Sequence, residues 1–230
     1  MHKIQKQMKE VIHFLAALER NNNREWFHAH KAEYLAVQQQ FNEFAGQLIA
    51  RLALFDESVA GLEPKDCTYR IYRDTRFSAD KRPYKTHIGA FVCPSGKKSG
   101  FSGYYFQVGP GEEGYPNGCL LATGDYQFDA KVMQILREDI SLDPDAFTAT
   151  LDSAPLFRLD DAEMLKRTPR GFDSTAPYAH YLRHKAFCLC YSPGTAFMQE
   201  EALLERTADA FRTTYPFLRF LNRAIAYAKE

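Results

Sequence analysis

Apolar residues recur every three or four positions at the start of the chain: Ile4, Met8, Val11, Ile12, Leu15 and Leu18. That spacing lays one apolar stripe along an α-helix. Three asparagines, Asn21 to Asn23, end it, and Asn23 is a suitable N-cap for a second helix. Trp26, Phe27, Tyr34, Phe41, Phe44 and Leu48 give that helix its apolar positions. The pattern then shortens. "TYRIYRD", "THIGAFVC", "SGYYFQVG" and "GCLLAT" are brief, rich in β-branched and aromatic residues, and separated by glycine, proline and serine. They predict strands of an antiparallel sheet, with hairpin turns at "PSGKKSG" and "GPGEEG". Helical spacing returns after Asp129 and again after Asp143, with Pro144 at a first helical position. A loop, a short helix from Pro177 and a strand follow. The tail from Met198 to Lys229 reads as helix, broken or kinked near Pro216. The expected architecture is α+β: a single domain over residues 1–230, its antiparallel sheet flanked by N- and C-terminal helices.

Composition narrows this reading. The chain has 230 residues, 45% hydrophobic and 25% charged, with 29 acids matching 29 lysines and arginines. Such a chain folds into a core that hides roughly 70% of its unfolded surface. Zero net charge excludes a general coat of positive charge for nucleic acid or membrane, so electrostatic recognition must be local. The five cysteines, Cys67, Cys93, Cys119, Cys188 and Cys190, include no C-x-x-C. They read as buried free thiols rather than a metal or redox pair, which fits a reducing cytoplasm. No long apolar stretch suggests a signal peptide or a membrane span.

Charge is concentrated in one place. Tyr69 to His87, "YRIYRDTRFSADKRPYKTH", holds six lysines or arginines and two acids, interleaved with three tyrosines and Phe77. Read as a strand, Tyr69, Ile71 and Arg73 share one face, and Arg70, Tyr72 and Asp74 the other. A polar turn follows, so Arg73, Arg76, Lys81 and Lys85 can converge. Asp74 and Asp80 would orient the cations, and spare donors would suit phosphate, sulfate or carboxylate oxygens. Asp74 or Asp80 is also the candidate general base or metal carboxylate, and Tyr84 a candidate hydrogen-bond donor. The plainer reading is that these charges pair among themselves on a solvated face.

A second basic region, Lys166, Arg167, Arg170, Arg183 and Lys185, could join the first across the sheet. His180 and His184 share a helical face but lack the acid and third ligand of a zinc motif. "GPGEEG" lacks the Lys-Ser/Thr ending of a phosphate loop. No nucleophile elbow is present, and no motif names a cofactor.

"RIYRDTRFSADKRPYK", Arg70 to Lys85, resembles the signature R-x-x-R-D-x-R-F…K-x-x-Y-K of a mostly bacterial group, domain-of-unknown-function family 2461. "NNREWF", "GYYFQVGPGE", "LKRTPRGFD" and "YLRHKAF" resemble its other conserved stretches. The resemblance implies a single-domain protein of about this length, with no established activity. It points to Arg70, Arg73, Asp74, Arg76, Phe77, Lys81, Tyr84 and Lys85. Three function classes stay open. One is a protein or enzyme holding an anionic, phosphorylated small molecule. Another is a nucleic-acid module that stacks bases on Tyr72, Phe77 or Tyr84. The last is a structural or partner-binding protein with a self-paired charge network.

Overall fold

A computed structural model describes residues 2–112 and 114–230. The expected first stripe folds as α1 (His2–Arg20), with Met8, Val11, Leu15 and Leu18 fully buried. Asn23 Oδ1 accepts the Trp26 N–H at 2.9 Å and starts α2 (Arg24–Ala29). The expected single second helix is in fact two. His30 turns out of helical geometry, and its Nδ1 lies 2.8 Å from the Trp26 carbonyl while its ring stacks on Trp26. The His30 N–H still donates to the Trp26 carbonyl at 3.1 Å, and α3 (Lys31–Leu52) begins at the next residue. The short α4 (Pro64–Cys67) opens on a reciprocal cap between Glu63 and Asp66.

Three predicted strands form: β1 (Ile88–Val92), β2 (Gly103–Val108) and β3 (Leu120–Asp125). After α5 (Ala130–Leu142) and α6 (Pro144–Asp152) come β4 (Arg158–Leu159) and β5 (Phe187–Tyr191). Asp129 and Asp143 cap their helices as expected, with Pro144 at the first position. The sheet is antiparallel in the order β1-β2-β3-β5-β4. β4 escapes sequence reading because two residues carry no period. Around Pro177 the chain makes turns and a 3-10 segment, Tyr181–Arg183, rather than the expected helix.

After α7 (Gly194–Met198), helix α8 (Leu203–Lys229) continues through Pro216 instead of breaking. Proline removes one ladder hydrogen bond, but Phe211, Phe217, Leu218 and Leu221 are buried on both sides and hold the helix. Helices α3 and α8 pack on one face of the sheet. There Phe44 meets Phe106, and the Thr123 and Thr214 hydroxyls lie 2.8 Å apart. One continuous core runs from α1 through the sheet to α8. The opposite sheet face is lined by smaller residues, with Leu120, Ala122 and Cys188 buried and Tyr105 and Cys190 packed on them.

Candidate functional site

The basic segment is not the expected strand. Thr68 bridges Ala90, and the Tyr69 N–H donates to the Gly89 carbonyl at 3.1 Å, so the chain first follows the free edge of β1. It then pairs with its own return. Tyr72 bridges Tyr84, the Arg73 N–H donates to Pro83 O, and the Lys85 N–H donates to Ile71 O. Proline has no N–H to extend that ladder. The result is an irregular two-legged arm at the sheet edge. Of the three residues assigned to one strand face, Ile71 alone is buried.

The base of the arm is anchored by rings and by one asparagine. Tyr84 is buried and stacks on Phe27 with ring centres 4.0 Å apart, and Tyr72 meets both rings edge-on. Asn22 Nδ2 donates to the Tyr84 carbonyl at 2.9 Å, and its Oδ1 accepts the Tyr84 N–H at 3.2 Å. Thus "NNREWF" and the basic segment form one structural unit. Burial pushes the Tyr84 hydroxyl above its ordinary pKa, so the phenol stays protonated,.

At the tip the charges pair locally. The Arg76 guanidinium grips Asp74 through Nε at 3.0 Å and Nη2 at 2.6 Å. Arg82 grips Asp80 in the same way, and Arg73 Nη1 reaches Asp80 Oδ2 at 2.6 Å. Hydrogen bonds from Arg82, and secondarily from Arg73, hold the Asp80 carboxyl well below the usual carboxylate range. Arg76 does the same for Asp74. Lys81 Nζ donates to the Thr75 carbonyl at 3.1 Å. Phe77 is 96% exposed, with the Arg76 guanidinium 5.9 Å from its ring centre.

The base differs. Lys85 is half-buried and has no carboxylate partner among the described residues. Its ammonium lies 5.5 Å from the Tyr69 ring centre. Burial, and then the Arg73 charge, push its pKa below the ordinary lysine value. His87 stands next to it. Burial, and secondarily the Lys85 charge, lower the imidazole pKa to about 4 against an opposing Pro116 carbonyl, so the ring is neutral near pH 7. Its Nδ1 is sealed from solvent without a hydrogen-bond partner among the described residues. Arg70 is exposed and unpaired among those residues.

Of the sequence-predicted cations, the fold therefore brings Arg73 and Lys85 within electrostatic reach, while Arg76 and Lys81 stay at the tip. Sequence reading missed Asn22, Arg82 and His87. Arg82 had a visible signal, because Asp80-Lys81-Arg82 repeats the Asp-x-Arg spacing of Asp74-Thr75-Arg76. Asn22 had none, being 62 positions from its partner.

The second basic region does not join the first. It flanks β4 and β5, at the opposite side of the sheet from β1, where Lys185 pairs with Glu163. His184 is buried with Nδ1 3.0 Å from the Asp160 carbonyl. Among the described residues no group of three His, Cys, Asp or Glu is arranged to hold a metal ion. None of them forms a helix long and apolar enough to cross a membrane. Two open grooves, of about 500 and 430 Å³, are lined by other residues, chiefly of α1 and α3, and by none of the basic segment.

No curated protein and no solved structure matches the chain. A family model described as conserved hypothetical protein (DUF2461) matches residues 10–220 of the 230, a span that takes in the arm, its Asn22–Phe27 footing and every strand; the chain belongs to that family.

Proposed function

We propose that the base of the arm binds a small anion of phosphate or carboxylate type. Lys85 is the central cation, Arg73 the second and Arg70 a solvent-side contributor. One observation carries this reading: Lys85 is half-buried with no carboxylate partner among the described residues. An ammonium disfavoured by burial and by a neighbouring guanidinium gains strongly from an incoming anion. Asp80 serves as an aligner of Arg73 rather than a proton acceptor, because its carboxylate is already held by two arginines. Asp74 plays the same part for Arg76, and Tyr84 supports the base through its ring. A phosphorylated metabolite, as ligand or substrate, fits this donor set. A cytoplasmic location fits the five unbridged thiols,.

The tip supports a different reading. There Asp74 with Arg76, and Asp80 with Arg73 and Arg82, form a self-paired network, so Arg76 and Lys81 lie outside the proposed anion contact. Thermal-shift titration with phosphate, sulfate and a panel of phosphorylated metabolites tests the proposal, with single-stranded oligonucleotides as the comparison arm. Wild type should be stabilised by at least one small anion, and Lys85→Met should lose that response. No stabilisation by any small anion, or an unchanged response in Lys85→Met, overturns the reading. A response to oligonucleotides alone would transfer the function to the exposed Phe77 and Tyr72 rings.

A further inference from the structure

Cys188 and Cys190 occupy alternate positions of β5, on the sheet face away from α3 and α8. Their sulfurs lie 3.9 Å apart. The Tyr126 hydroxyl reaches across from the end of β3 to 3.3 Å from Cys190 Sγ. Cys190 is partly exposed, whereas the other four cysteines are buried. All five thiols are free, and the expectation that they are buried fails at this one position.

We propose that Cys188 and Cys190 form a peroxide-reactive dithiol, with Cys190 the attacking sulfur, Cys188 the resolving sulfur and Tyr126 a positioning residue. The site is independent of the anion site at the arm. The hydrogen bond shared between the two sulfurs lowers the Cys190 pKa most. Burial opposes it, the contact with the Tyr126 hydroxyl lowers it further, and the nearby Asp160 charge raises it slightly. The shared proton and burial keep Cys188 protonated. Thiolate character together with access selects the sulfur that reacts.

The chemistry balances. The Cys190 thiolate attacks one peroxide oxygen, so an S–O bond forms and the O–O bond breaks. Hydroxide leaves and takes a proton from solvent to become water, and Cys190 is now a sulfenic acid. The Cys188 sulfur then attacks the Cys190 sulfur, forming S–S and breaking S–O. The departing hydroxide takes the Cys188 proton as a second water. Two thiols are oxidised by two electrons while one peroxide is reduced.

Geometry allows closure at the edge of its range. Residues two apart in a strand have Cα atoms about 6.6–6.8 Å apart, against an upper limit for disulfides of roughly 6.8 Å. The strand must contract at Leu189. Oxidation should therefore loosen the pairing of Cys190 with Ala122 and Arg158 and be undone by a thiol reductant.

The test treats the native full-length protein with stoichiometric hydrogen peroxide, blocks free thiols and maps peptides by mass spectrometry. Cys190 should react roughly tenfold or more faster than Cys67, Cys93 or Cys119, and the Cys188–Cys190 peptide should lose two hydrogens. In Cys188→Ala, dimedone should trap a sulfenic acid on Cys190. In Tyr126→Phe, the pH midpoint of oxidation should rise. Equal rates at all five thiols overturn the proposal, as does oxidation of Cys190 in wild type that leaves Cys188 free. The wild-type map is decisive by itself if a variant does not fold.

Discussion

The tip and the base of the arm are built from the same short motif, yet physics treats their charges differently. At the tip, Arg76 and Asp74 are well exposed and two residues apart, so water and a local fork satisfy both. Exposed pairs of this kind contribute little to stability. At the base, Lys85 and His87 are withdrawn from water beside a packed aromatic cluster, and among the described residues neither has an acid to meet it. The comparison teaches that a run of basic residues does not define a site. The proposed site lies where desolvation and pairing fall out of step.

The largest effect that can break this contrast lies in the aromatic footing. Phe27 is buried against Tyr84, Tyr72 and Tyr34. Phe27→Ala should destabilise the fold by about 3–5 kcal/mol, whereas Phe77→Ala at the tip should change it by less than about 0.5 kcal/mol. Urea unfolding of the two variants checks this, and similar midpoints would erase the distinction.

Next comes pH. The folded His87 pKa of about 4 lies below the ordinary value of 6.5. A depressed base favours the fold while it is neutral. Its contribution is therefore present above pH 6.5, declines as pH falls from there toward 4, and is gone below 4. Linkage gives on the order of 3 kcal/mol for that shift. His87→Asn should flatten the stability profile across this window, as measured by urea midpoints at successive pH values. An unchanged slope would mean that the ring is solvated.

Smaller again is the Asn22 clamp. Asn22→Ala leaves the Tyr84 N–H and C=O without their side-chain partner and should cost about 1–3 kcal/mol,. Hydrogen exchange should speed at Tyr84 and Lys85 before it does in β2. Uniform acceleration would instead indicate global loss.

These residues also show what sequence can reveal. Asn23, Asp129 and Asp143 act locally, within three positions of the amides they cap, so their roles could be read directly. Strands β1, β2 and β3 were visible from short apolar runs bounded by turn residues. The arm was misread because its strand-like composition serves two different partners, β1 and its own return leg. The motif holds Lys85, Arg73 and Arg70 of the proposed site together with Arg76 and Lys81 of the tip; pairing depends on which leg each side chain leaves from, and spacing alone does not carry that. His87 looked like the end of a charged run; only its burial beside Lys85 makes it distinctive. Lys166 to Arg170 looked similar in composition, yet topology sends them to the far side of the sheet.

Calorimetric titration of phosphate, or of the best anion in the panel, into wild type, Lys85→Met and Arg76→Ala tests the central claim most directly. A charge-assisted hydrogen bond of roughly 1.5–3 kcal/mol corresponds to about a ten- to hundredfold change in affinity. Lys85→Met should weaken binding by that factor, while Arg76→Ala stays within about threefold of wild type. The reverse order, with Arg76→Ala losing the anion and Lys85→Met retaining it, would move the site to the tip and contradict the account.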